Sequence, residues 1–460
     1  MAASINSSAK SLGTYLLLLV TVFCIALDIS IMGPLFTVLG REFSVPISSL
    51  SQVISLFVFF GLLSAPIMTV LADTKGRKIV FIAIIILFAI STFAVGYSGS
   101  LQQLLIARAF QGVASGGIFP ISVSIIQTEL NPKRRGLLLG LLGAAFGIAF
   151  LVGPIIAGIL VENDWRLIFK AQAVIILIIS GLLFLTLKSI RTDTQYAVSW
   201  RQILYFLSAV SSFFLFLLIC QRLLLSFSFL YLSLAAIMAA TSLVIIFLFK
   251  RLLKQQLNTE FFFSYLILPS TMPIILVALI AGAYESSLIF LPSMVAKSLS
   301  LSPREASFIM IPLVVSMIIG TGLWGHLLDR RDPIKVINVG LFFSSIFIAF
   351  MALAAGHMFL FITFGCLLGI SMSAFIGTPL RFLLMQIYPE NLSSSIQGLL
   401  SFLQGSGRLV GATIFGGLIT FYQDEFFGYQ ACLVICSLLS LISLKYFYKN
   451  RDYLAKEAVK

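Results

Sequence analysis

Four charged side chains stand deep inside long apolar runs: Asp28, Arg108, Glu285 and Arg408. Each half of the chain thus holds one acid and one base. A guanidinium in hydrocarbon costs at least about 2.5–3.5 kcal/mol, so both arginines must face a partner or water. A carboxylate in the same setting is pulled two ways. Desolvation favours its protonated form, and a nearby guanidinium favours its charged form. Such an acid can take up and release a proton as its surroundings change, which is what proton-coupled exchange needs. Asp28 is the first candidate carrier, with Arg108 tuning it. Glu285 is the candidate for a second carrier or for the recognition of a cationic ligand. On an ideal helix rise, Asp28 lies ~14 Å and Arg108 ~10 Å from the outer ends of their helices, so the two share a depth. Glu285, ~16 Å from its own outer end, occupies the place equivalent to Asp28.

The elements that must hold these charges are membrane spans. Of 460 residues, 60% are hydrophobic and only 10% charged, and the mean hydropathy is +1.09. A soluble protein carries roughly 25% charged residues. The composition therefore excludes a soluble enzyme, a nucleic-acid-binding module, a disordered chain and a fibrous protein. Apolar stretches of about 20 residues predict fourteen helices. Six cover 14–37, 51–72, 79–98, 101–127, 136–161 and 168–187. Two follow at 202–221 and 225–249, and six more at 263–296, 306–328, 335–355, 358–380, 393–421 and 424–446. With the N-terminus inside, 22 of the 30 Lys and Arg fall on the inner side, Arg381 among them, and 6 on the outer side. That bias supports both termini inside and an even number of spans. It also accounts for the +13 net charge without any nucleic-acid partner.

The two outer six-helix blocks repeat. Gly140, Ala149, Gly153 and Gly158 recur as Gly398, Gly407, Gly411 and Gly416, each 258 residues later, and Pro34 recurs as Pro292 at the same displacement. The loop Leu71-Ala72-Asp73-Thr74-Lys75-Gly76-Arg77-Lys78 recurs near Leu327-Leu328-Asp329-Arg330, displaced by 256. The expected organisation is a bundle over 1–190, a peripheral linker hairpin over 191–260 and a second bundle over 261–460. Two parallel repeats about the membrane normal are the plan of one large class of secondary transporters.

Three motifs resemble the drug:proton antiporters of the major facilitator superfamily, the fourteen-helix branch in particular. The first is the 71–78 loop, similar to the pattern Gly-x-Leu-x-Asp-Arg-x-Gly-Arg-Lys/Arg, with Thr69 at the leading Gly and Thr74 at the first Arg. The resemblance implies a cytoplasmic gate made by Asp73, Gly76, Arg77 and Lys78, with Asp329 and Arg330 in the second copy. The second is Arg108-Ala109-Phe110-Gln111-Gly112, similar to Arg-x-x-Gln-Gly. The third is the series Gly140, Ala149, Gly153-Pro154 and Gly158, similar to the antiporter motif of the fifth helix. Its small residues let helices approach closely, and Pro154 frees a carbonyl and bends its helix. Leu27-Asp28-Ile29-Ser30 and Arg408-Leu409-Val410-Gly411 also resemble motifs of these families.

The resemblance implies an all-α integral membrane protein with the major facilitator fold. Its expected activity is export of drug-like or amphipathic organic molecules in exchange for protons, with a substrate cavity that includes Gln111, Tyr284, Glu285 and Arg408. A dedicated exporter of one metabolite or siderophore is the alternative, because two acids suit organic cations whereas Arg108 and Arg408 suit an anion. The two histidines are isolated, and the five cysteines sit inside apolar runs; Cys432 and Cys436 are one helical turn apart, but no His or carboxylate joins them there. No cofactor, metal, disulfide framework or enzymatic centre is therefore expected. Nucleotide-driven transport is excluded, because the chain has no Gly-x-x-x-x-Gly-Lys-Ser/Thr loop. The expected partners are a small-molecule substrate, protons and the bilayer. The expected setting is a bacterial inner membrane, with the chain acting as a monomer.

Overall fold

The computed structural model describes residues 2–45, 47–129, 135–160, 164–187, 271–301, 303–388, 392–421 and 425–451, with 207–208, 211–212 and 215–216 between them. The linker hairpin expected over 202–221 and 225–249 lies outside the described residues apart from those three pairs. The described residues form helices and turns, without strands. Ten of the helices are long and apolar enough to cross a membrane.

The first block holds α1 (Ala2–Glu42), α2 (Ile47–Lys75), α3 (Arg77–Val95), α4 (Leu101–Glu129), α5 (Arg135–Leu160) and α6 (Arg166–Thr186). The second holds α7 (Thr271–Ser298), α8 (Pro303–Ile309), α9 (Ile311–Leu328), α10 (Pro333–Leu353), α11 (Met358–Ile376), α12 (Thr378–Ile387), α13 (Ser393–Phe421) and α14 (Glu425–Lys449). Two spans read as single helices are each built from two. α8 and α9 part at Met310, and α12 extends the span of α11 beyond Gly377. The helix boundaries have local causes. Gly76 joins α2 to α3 at φ 102°, a backbone conformation that favours glycine. Asp332 caps α10 by accepting the Ile334 N–H, with Pro333 opening the helix.

The chain divides into two compact units. Unit 1 is Met1–Thr194 with Thr321–Arg330 and Tyr388–Phe402; unit 2 is Gln195–Gly320, Arg331–Ile387 and Leu403–Lys460. Unit 1 therefore includes the last turns of α9 and the first turns of α13.

The repeat is visible in the helix crossings. In unit 1, α2 packs on α4, α1 on α5, and α3 on both α4 and α6. In unit 2, α10 packs on α11 and α14. Bare glycine backbone makes the equivalent close crossings. A Cβ on Gly112 would meet the Phe57 carbonyl, and one on Gly369 would meet the Leu313 carbonyl. Between α1 and α5, Gly153 leaves room for Ser30, whose hydroxyl donates to the Ala149 carbonyl at 2.9 Å. Between α7 and α13, Gly282 and Gly407 abut backbone of the facing helix. α5 continues as helix through Pro154 and Gly158, whose side-chain surroundings are not among those described.

Candidate functional site

In unit 1 the structure brings Asp28 of α1 and Arg108 of α4 into a closed polar ring. Arg108 Nη1 donates to Asp28 Oδ2 at 2.5 Å and to Gln111 Oε1 at 2.8 Å. Gln111 Nε2 donates to Asp28 Oδ1 at 3.1 Å and to Thr92 Oγ1 of α3 at 2.8 Å. Arg108 Nε reaches the Val53 carbonyl of α2 at 3.4 Å, and the guanidinium lies 4.5 Å from the Phe57 ring centroid. Asp28, Arg108, Gln111 and Thr92 are all 0% exposed. A buried ion pair is tolerated only when its remaining donors and acceptors are met, and this ring meets them from four helices. Gln111, expected in the substrate cavity, serves here as the bridge between acid and base. Sequence reading missed Thr92. Its signal is faint, because a threonine inside an apolar helix usually bonds its own backbone, and Thr92 also does so, donating to the Phe88 carbonyl at 2.7 Å.

At one end of unit 1 lies the loop between α2 and α3, expected to form a gate. Asp73 is 1% exposed and receives the first turn of α13. The Ser395 N–H and hydroxyl each donate to its Oδ2 at 2.7 Å, and the Ser394 N–H donates to Oδ1 at 3.3 Å. A carboxylate at a helix N-terminus satisfies amides that have no intrahelical partner, and it complements the helix dipole. Arg77 donates to Asp73 Oδ1 at 3.2 Å, to the Ser394 hydroxyl at 3.1 Å and to the Thr128 hydroxyl at 2.9 Å. The second copy repeats this in smaller form. Asp329 Oδ1 accepts the Gly136 N–H at the start of α5, at 3.0 Å. Gly140 lies against the Thr321 carbonyl and Gly325. Lys78 is placed elsewhere: it donates to the Leu187 carbonyl at the end of α6, at 2.8 Å. Arg330 is exposed.

In unit 2, Arg408 of α13 pairs with Glu285 of α7 at 2.6 Å, with side chains 42% and 26% exposed. Tyr284 is not brought to this pair. It is fully buried, its hydroxyl accepts from Ser440 of α14 at 2.7 Å, and its ring meets Phe375 edge-on at 5.3 Å. Arg381, assigned by hydropathy to an inner loop, is instead a buried residue of α12, 8% exposed. The polar spacing of Thr378-Pro379 hides it, because the pair reads as the end of a span rather than as a break within one. Arg381 donates to Gln404 Oε1 of α13 at 3.1 Å.

The opposite end of unit 1 from the α2–α3 loop carries an ion-pair clip. Glu42, closing α1, accepts from Trp165 Nε1 at 2.7 Å and from Arg166 at 2.5 Å. Arg166 also donates to the Ser98 carbonyl at 2.9 Å. Partial burial acts to raise the Glu42 carboxyl, but the hydrogen bonds from Arg166 and Trp165 and the Arg166 charge outweigh it and hold the group below its ordinary range. Among the described residues no cluster of His, Cys, Asp and Glu could hold a metal ion.

Three comparisons bear on this arrangement. The model of the family described as Major Facilitator Superfamily matches residues 18–412 and 274–459. The MFS-type transporter YfiU of Bacillus subtilis is 27% identical over 434 residues, which cover 88% of this chain and 79% of YfiU. Multidrug resistance protein 3 of the same organism is 23% identical over 364 residues, covering 77% of this chain and 69% of that protein. The crystal structure of the human organic anion transporter MFSD10 superposes with a TM-score of 0.68 at 14% identity, covering 95% of this chain and 99% of that one. At that identity the likeness is one of fold.

Proposed function

The chain belongs to the major facilitator superfamily, and from that premise we propose that this membrane transporter is a proton-coupled antiporter exporting amphipathic, drug-like organic molecules by alternating access. The proposal includes fourteen spans, with the linker pair over 191–260, both termini on the cytoplasmic side and residence in a bacterial inner membrane. The similarity to multidrug resistance protein 3 supports the substrate class.

The observation that carries the coupling is the Asp28–Arg108–Gln111 ring. Asp28 is the single acid of the ring, it is wholly buried, and its charge is held by one guanidinium. A proton arriving at Asp28 neutralises it and releases Arg108 from the pair. The four helices tied together by the ring then lose a shared constraint. Departure of the proton rebuilds the ring. One acid whose protonation is tied to the packing of α1, α2, α3 and α4 gives a proton a differential free energy between two states, as any coupled exchange requires. Asp73 and Asp329 form the cytoplasmic gate, engaged here on the first turns of α13 and α5. The Glu285–Arg408 pair is the second candidate for proton exchange.

The test is substrate-induced proton release from the purified full-length chain in detergent, over cationic, neutral and anionic amphiphiles. The proposal expects release with at least one of them. Transport that persists in a sodium gradient with no proton release from any compound overturns the coupling.

A further inference from the structure

In unit 2 the start of α10 lies beside the end of α14. The two helices are joined where the Ser437 hydroxyl donates to the Ser345 carbonyl at 2.8 Å. Beyond that bond they leave a groove of about 440 Å³. Val339, Phe342 and Phe343 of α10 line it with Leu441, Leu444 and Tyr448 of α14, and Asn338 and Lys445 are its polar members. The spacing explains the two walls. Lys335, Asn338, Val339 and Phe342 recur at intervals of three and four, as do Leu441, Leu444, Lys445 and Tyr448, so each set shares one helix face. Val339, Phe342, Phe343 and Leu441 are 42–45% exposed, and both helices are among those long and apolar enough to cross a membrane. The groove is therefore open toward hydrocarbon.

Lysine at the end of a span is ordinary by itself. Here the cations stand at a receptacle. Lys445 is in the groove wall, and Lys335 begins the facing stripe; both are exposed. The Arg451 guanidinium lies 4.4 Å from the Tyr448 ring centroid, which brings a further positive charge to the mouth. Asp332, a carboxylate at this end, is engaged in capping α10 and accepts the Ile334 N–H at 2.9 Å. The equivalent crevice of unit 1, between α3 and α6, is closed by its own lysine. Lys78 donates to the Leu187 carbonyl at 2.8 Å, and its ammonium lies 4.8 Å from the Phe184 ring centroid. Among the described residues, the Lys335 and Lys445 ammonium groups have no such internal partner.

We propose that the α10–α14 groove is a binding site for an anionic phospholipid. Lys445 and Lys335 hold its phosphate, and one acyl chain lies along Phe342, Phe343 and Leu441. A phosphate with an attached chain matches both features of the groove, cations at the mouth and an apolar channel leading away from them. Basic pockets between membrane helices hold acidic headgroups in this way. Long lysine stems reach the headgroup level while lying against apolar surface. A zwitterionic lipid fits the same channel but brings its own cation to the mouth, so charge sets the preference. The bound lipid ties the start of α10 to the end of α14. The site is separate from the Asp28 ring and does not rest on proton coupling.

The test is native mass spectrometry of the purified full-length chain in detergent, titrated with phosphatidylglycerol and phosphatidylcholine of identical acyl chains. Phosphatidylglycerol should bind more tightly, with about fivefold of the preference owed to each lysine. Lys445→Gln and Lys335→Gln should each lower phosphatidylglycerol affinity by about that factor and leave phosphatidylcholine unchanged. Lys75→Gln removes an exposed charge from the end of α2 and should keep the native preference. Glycerol 3-phosphate, which has the headgroup chemistry without the chains, should not displace bound lipid. Melting temperatures identify any variant that fails to fold, and the other lysine variant then decides. Equal binding of the two lipids overturns the proposal, as does an unchanged preference in Lys445→Gln, an equal loss in Lys75→Gln or displacement by glycerol 3-phosphate. A dimer mass that forms in place of the lipid-bound species also overturns it and assigns this face to a second copy of the chain.

Discussion

The side chain of Thr69 fills the space that a Cβ on Gly398 would need. In the second copy of the gate motif, Gly325 stands against Gly140. Residue 69 is where the family pattern has glycine, so the first copy departs from it. The structure gives the physical reason that departure is accommodated. One partner of the crossing must be bare, and Gly398 is. The Thr69 hydroxyl is satisfied within its own helix by the Ala65 carbonyl at 2.8 Å.

Gly398→Ala should therefore destabilise the protein, by about 1–3 kcal/mol as for other overpacked crossings. Thr69→Gly should be mild alone and should restore most of the loss in the double variant. Melting temperatures of the four proteins check this. Additive losses would show that the two side chains do not share the space.

Asp73 and Asp329 make unequal contacts with equivalent helix starts. Asp73 holds two amides and a hydroxyl of α13. Asp329 is shown with one amide of α5. Asp73→Asn keeps the shape and removes the charge, an effect of up to ~2 kcal/mol at a partly buried helix N-terminus. Hydrogen exchange at Ser394 and Ser395 should accelerate in Asp73→Asn. Exchange at Gly136 should accelerate by a smaller factor in Asp329→Asn. Unchanged protection at Ser394 and Ser395 would remove Asp73 from the proposed gate.

Glu42 sets a pH dependence whose sign follows from its shift. Its carboxyl is held below the ordinary range in the folded chain. The clip therefore contributes its stability above the ordinary carboxylate pKa of about 4.3 and loses it as pH falls through the lower, folded value. Glu42→Gln should melt slightly below the native protein at pH 7, and the two curves should converge as the pH is taken down toward 3. A gap that widens on acidification contradicts the assignment. The effect is small because the side chain is 34% exposed and such pairs are screened.

Much of the unit 1 ring is legible in the sequence. Helix rise is fixed, so residue counting puts Asp28 and Arg108 at one level, and they meet at 2.5 Å. The repeat is legible because close crossings need small residues at fixed intervals. What escapes reading has equally physical causes. The partners of Asp73 are chiefly backbone amides and serines at a helix start, and backbone donors leave no trace in residue types. Lys78 shares a motif with Asp73 and Arg77, yet it turns to the end of α6, because its long stem reaches a neighbour that spacing does not specify. Tyr284 precedes Glu285 in sequence but points to Ser440, since successive helix positions diverge by about 100°. Hydropathy puts Arg381 in a loop because Thr378 and Pro379 interrupt the apolar run, although α12 carries the span on past them.

Whether Asp28 exchanges the coupled proton is tested most directly by Asp28→Asn. The amide preserves the size of the carboxyl and can still meet Gln111, but it cannot titrate. Proton release is measured from purified native and variant protein on addition of a substrate that both bind. Proton exchange at Asp28 predicts release from the native chain and its loss in Asp28→Asn, with substrate binding retained. Undiminished proton release from Asp28→Asn would contradict it.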